Sequence, residues 1–163
     1  MFCKINDFIT LWQQEQDATL KILNALTDES LSKKPNDDVR SIGGLASHIV
    51  ETITEMPHRL GLVNVEKNIK FSSVQALTEA YAQDSNEMVK AIKEKWNDAD
   101  LEKENNMYGE QWKNKFSLQV LVLHQCHHRG QLTTLMRFAG LEVPGIYGPA
   151  KEEWSAMNMS APE

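Results

Sequence analysis

A chain of 163 residues with 41% hydrophobic and 25% charged residues has the length and composition of one globular domain, spanning 1–163, and excludes a disordered or fibrous protein. The formal net charge of −6, with no Lys/Arg stripe to offset it, repels phosphate backbones, so nucleic acid is not an expected partner. Lys33-Lys34 is too small a basic cluster to anchor the chain on an anionic membrane surface.

Helix 1 is expected over about residues 4–27, because Ile5, Phe8, Trp12, Thr19, Leu23 and Leu26 recur at three- and four-residue steps. A turn-rich stretch, Pro35-Asn36-Asp37-Asp38, connects it to Ser41, which can cap helix 2. Helix 2 (about 41–60) carries Ile42, Leu45, Ile49, Ile53, Met56 and Leu60 on one stripe, and Pro57 should bend or interrupt its last turn. A loop runs to Ser72, which with Gln75 is read as a capping box for helix 3 (about 73–96), whose stripe is Val74, Leu77, Tyr81, Met88, Ile92 and Trp96. Residues 97–115 are polar around Gly109 and read equally as a long loop or a short hairpin. Helix 4 (about 116–139) ends at Gly140, with Pro144 beyond. The tail, with Gly145, Gly148 and Pro149, wraps or frays.

Four amphipathic helices without a strand pattern define an all-α fold, an up-and-down four-helix bundle that builds its sites from facing side chains. The longest apolar run, residues 120–123, falls far short of the roughly 20 residues of a membrane span, so no membrane association is expected. The start Met1-Phe2-Cys3-Lys4-Ile5-Asn6-Asp7 lacks a basic region followed by an apolar stretch, and the cytoplasm is the expected location. Of the two cysteines, Cys3 is near the chain start and Cys126 is in an apolar helix, which argues against a disulfide framework. Cys126 is read as packing material.

Three of the five histidines fall in Leu123-His124-Gln125-Cys126-His127-His128-Arg129-Gly130-Gln131. At roughly 100° per residue, His124 and His128 share a side with Leu121, Leu132 and Leu135 and are read as core-facing, whereas His127 is turned roughly 60° away. An i, i+4 pair lets two imidazoles reach one ion. Packed, hydrogen-bonded core histidines are the alternative, although an apolar stripe supplies few partners for them. A closed structural zinc site is disfavoured because Cys126 points to nearly the opposite side. A di-iron site needs inward carboxylates that helix 4 does not offer, and Glu55-Met56-Pro57-His58 is a poor match to its Glu-x-x-His pairs. On helix 2, His48 lies at the shoulder of the stripe, and spacing alone does not single it out.

The segments Ile42-Gly43-Gly44-Leu45-Ala46-Ser47-His48-Ile49-Val50-Glu51 and His124 to Gln131 resemble the helix 2 and helix 4 motifs of the DinB/YfiT family of metal-dependent four-helix proteins, and Gly140-Leu141-Glu142-Val143-Pro144 resembles its chain end. The resemblance covers most of the chain and implies His48, His124 and His128 as the metal ligands. It implies one divalent ion, nickel or zinc first, with iron, manganese or cobalt as alternatives.

Relatives in that family include thiol S-transferases and hydrolases. Three neutral histidines leave open coordination positions, as a catalytic metal requires. The expected activity is therefore transfer of a low-molecular-weight thiol, bound as cosubstrate, to a small electrophilic substrate. The alternatives are a metal-dependent hydrolase that activates water and a non-enzymatic, stress-linked metal-binding protein. Gln131 and Glu51 are candidates for supporting the ligands, Glu51 being read as outward and solvated, and a homodimer would be ordinary for such a bundle.

Overall fold

The computed structural model of the chain describes residues 2–64 and 70–162. Four helices carry the fold: α1 (Ile5–Leu23), α2 (Ile42–Arg59), α3 (Val74–Lys95) and α4 (Asn114–Phe138). Ser41 caps α2 by accepting from the Gly44 N–H at 3.1 Å. At α3 the cap is Ser73, which accepts from Ala76, one residue later than expected. α1 stops at Leu23, and a short 3-10 turn, Asp28–Ser32, follows. Pro57 does not end α2, which continues to Arg59. Lying in the last turn, it removes only one helical hydrogen bond. The expected loop before α3 includes residues 65–69, which lie outside the described residues.

The bundle is all-α, as its periodicity predicts. α1 packs on α3 and α4, and α2 packs on α3 and α4, so α1 and α2 are diagonal to one another. The starts of α2 and α3 both sit at the 28–33 turn, through Ile42 N–H to the Lys33 carbonyl and Val74 N–H to Asp28. Their ends also meet, since Lys95 Nζ donates to the carbonyl of Leu62 at 2.7 Å. α2 and α3 therefore run in the same direction, and the four helices go up, down, down, up, which corrects the alternating up-and-down order expected from sequence: helical periodicity sets which face is buried but not the direction in which a helix is laid.

The core is the meeting of the predicted stripes. Phe8, Trp12, Ile42, Ile49, Ile53, Leu77, Tyr81, Met88, Ile92, Leu118 and Leu132 are fully buried, each large apolar side chain contributing about 1.5–3 kcal/mol. Between α3 and α4 the undecided segment forms a hairpin, β1 (Glu104–Met107) paired antiparallel with β2 (Glu110–Lys113). Its two turn residues, Tyr108 and Gly109, have φ of 57° and 91°, the left-handed pair that a tight hairpin turn requires. A tyrosine in that position masked the turn in the sequence. No helix among the described residues is long and apolar enough to cross a membrane.

Candidate metal centre

α2 and α4 lie antiparallel, with the Gln125 side-chain amide donating to the Ile49 carbonyl at 3.0 Å and to Thr52 Oγ1 at 2.8 Å. That register brings His48 opposite His124. The His124 Nε2 lies 3.3 Å from His48 Nε2 and 2.9 Å from His128 Nε2, and one ligand atom from each of the three lies within 4.8 Å of the others. Among the described residues this is the one His/Cys/Asp/Glu group of that kind. Two imidazole nitrogens held at about 2.0–2.1 Å by one ion stand about 2.9–3.4 Å apart. Both spacings about His124 fit that range and the third pair lies within 4.8 Å, so these three residues could hold one ion.

Supporting contacts differ along the triad. The Gln131 amide oxygen lies 2.8 Å from His128 Nδ1; an amide oxygen accepts, so Nδ1 carries the proton and Nε2 presents its lone pair to the centre. Glu51, expected to be turned outward, lies with its carboxylate 3.8 Å from His48 Nδ1. The two side chains face the same side of α2 because they are three residues apart. Burial, then the positive charge of Arg40 and the neighbouring imidazoles, lowers the His48 pKa to about 4. Burial also lowers His124 and His128, His128 despite its bond to Gln131. All three are neutral at pH 7, the form that ligates.

The helical phase of α4 needs one correction. Its buried face is centred on Leu118, Leu121, Gln125, Arg129, Leu132 and Met136, and His124 and His128 are half-buried at its edge, facing α2. Leucines alone set the phase in the sequence, and two polar residues occupy the core positions that would have corrected it. The exposure is useful, because a ligand from solvent can reach the centre. His127 is exposed, as its phase predicts, and stays outside the group.

Cys126 is more than packing material. Its thiol faces α1, within 3.4 Å of Glu15 Oε2 and 3.0 Å of the Tyr147 hydroxyl. Glu15 and Arg129 form an ion pair there, both buried. Arg129 also donates to the Glu15 carbonyl and to Thr19 Oγ1, each at 2.9 Å, and the Tyr147 hydroxyl donates to Glu15 at 2.6 Å. The tail wraps rather than frays. Burial pushes the Cys126 thiol up from its ordinary value, so it remains protonated.

A half-exposed three-histidine group on two helices of an all-α bundle is an arrangement that could bind a metal ion. The DinB family model matches residues 1–162, and the chain belongs to the DinB family. It is 40% identical to the uncharacterized protein YrdA of Bacillus subtilis (strain 168), over 100% of this chain and 99% of YrdA. Among solved structures, a DinB-like protein from Bacillus cereus ATCC 10987 is 36% identical with a TM-score of 0.83, covering 90% of this chain and 100% of that one. The DinB-like protein YjoA from Bacillus subtilis shares the fold at a TM-score of 0.69 and 20% identity, over 86% of this chain and 96% of its own.

Proposed function

We propose that His48, His124 and His128 bind one divalent metal ion through Nε2, and that the protein is an enzyme transferring a low-molecular-weight thiol to an electrophilic substrate. The observation that carries this reading is the convergence of the three Nε2 atoms, at 2.9 and 3.3 Å, at a half-exposed position. When bound, such an ion supplies a Lewis acid that holds a thiol in its thiolate form at neutral pH. The chain's own part is to aim the imidazoles, keep them neutral and leave one side open. On α4 Gln131 fixes the His128 tautomer, and on α2 the Glu51 carboxylate lies 3.8 Å from His48 Nδ1. Three protein ligands leave room for a substrate atom, whereas a closed structural site takes four.

Elemental analysis of the purified protein, followed by a panel of thiols with a chromogenic electrophile, tests the reading. Metal near one per chain with thiol-dependent consumption of the electrophile supports it. Metal-dependent cleavage of an ester reporter without any thiol would replace transfer with hydrolysis. Protein that takes up no nickel, zinc, cobalt, iron or manganese would overturn the centre itself.

A further inference from the structure

Beside the triad, a cavity of about 500 Å³ opens between the 35–40 loop and the second half of α4. The volume is that of a small-molecule site. His128 belongs to both the triad and the cavity wall, so the two are continuous. Leu45, Leu135 and Phe138 form an apolar side, and Gln131 and Arg40 supply polar groups.

The loop that bears Arg40 is tied down. Its base is closed by Ile42 N–H donating to the Lys33 carbonyl at 2.9 Å. Lys34 pairs with Asp37 at 2.6 Å, and the Asp38 N–H donates to Asn36 Oδ1 at 3.0 Å. The preceding turn presses on α2 at Gly43, where a Cβ would stand 2.9 Å from the Leu31 carbonyl oxygen. Arg40 therefore stands on a defined wall.

Three of the four arginines are committed to glutamates: Arg59 to Glu55, Arg129 to Glu15 and Arg137 to Glu152. Arg40 makes no hydrogen bond or ion pair with the described residues, yet its charge is felt at all three imidazoles. An unpaired guanidinium at a half-apolar cavity matches one carboxylate on a short carbon chain. Asp38 also lines the cavity, and an acidic residue in the wall disfavours a polyanion and leaves a single negative charge as the better fit.

We propose that this cavity is the thiol subsite and selects a thiol bearing a carboxylate. The carboxylate pairs with Arg40, the chain lies on Leu45 and Leu135, and the sulfur reaches the triad past His128. The inference rests on the metal-centre reading and names the substrate class that the reading leaves open.

The test uses the full chain loaded with cobalt(II). It is titrated with 3-mercaptopropionate and 6-mercaptohexanoate, each against its own primary amide, and thiolate-to-cobalt absorption gives Kd. At least one carboxylate should bind about tenfold tighter than its amide. Arg40→Gln should abolish that preference while keeping the cobalt, and Arg40→Lys should restore part of it. Raised salt should narrow it. Equal binding of carboxylate and amide, or an unchanged preference in Arg40→Gln, overturns the subsite while the metal centre stands. Failure of the wild type to take up cobalt overturns both. A melting temperature raised by hexanoate, dependent on Arg40, with no thiol affecting the cobalt spectrum, would move the carboxylate to the other substrate and overturn the thiol assignment.

Discussion

His128 and Arg129 are adjacent in the chain and serve two polar clusters on different sides of α4. Around Arg129 the groups are paired: the buried Glu15 and Thr19, the half-buried Cys126 and the hydroxyl of the exposed Tyr147 take up its charge and one another's hydrogen bonds. Around His128 the neutral nitrogens point at each other, half-exposed, with no carboxylate inside the triad. A satisfied buried cluster holds helices in register and needs nothing from solvent. Three imidazole nitrogens gathered at one point could be completed by a metal ion. The contrast separates what holds the bundle together from what the bundle presents.

The largest test of that division is Arg129→Ala. It leaves Glu15 buried and unpaired, and should cost about 3–5 kcal/mol in urea unfolding of the metal-free protein. His124→Ala, half-exposed, should cost no more than about 1 kcal/mol in the same assay. The reverse ranking would make the histidines the structural cluster.

Metal narrows the difference. An ion at about 100 times its Kd stabilises the folded wild type by about 2.7 kcal/mol, read as a rise in melting temperature. His48→Ala, His124→Ala and His128→Ala should each lose that rise together with the bound metal. Gln131→Leu frees the His128 ring and should weaken metal binding about 10- to 100-fold, measured by competition with a chelator.

The buried cluster also sets a pH dependence. Burial alone would raise the Glu15 carboxyl, but its bonds from Tyr147 and Arg129 hold it below the ordinary 4.5. A depressed carboxyl stabilises the fold above its unfolded value and loses that contribution as pH falls through its folded value. Glu15→Gln should therefore be less stable than wild type by about 1–2 kcal/mol at pH 7, with the gap narrowing below pH 4.5. A gap that widens in acid would contradict the pairing. The smallest effect belongs to His127→Ala, which should keep near-stoichiometric metal. A site emptied by that change would place the wrong histidine in the triad.

Residue periodicity alone determined four helices, their buried stripes and the i, i+4 histidine pair, because one turn of helix relates those positions locally. It also placed His127 outside the pair. The partner on α2 was different: at the shoulder of its stripe, His48 was indistinguishable from a packed histidine until α2 and α4 were laid antiparallel. The same holds for Glu15, Gln125 and Arg129, polar residues that none of the apolar stripes included. Each is buried because its partner comes from another helix or from the tail, and burial of a polar group depends on that partner rather than on its own neighbours in sequence. The common direction of α2 and α3, the hairpin turn on Tyr108, and the cavity between Arg40 and α4 are likewise products of distant segments meeting. Local pattern specifies which surfaces are apolar; only tertiary packing decides which polar groups are satisfied and which are left to face a ligand.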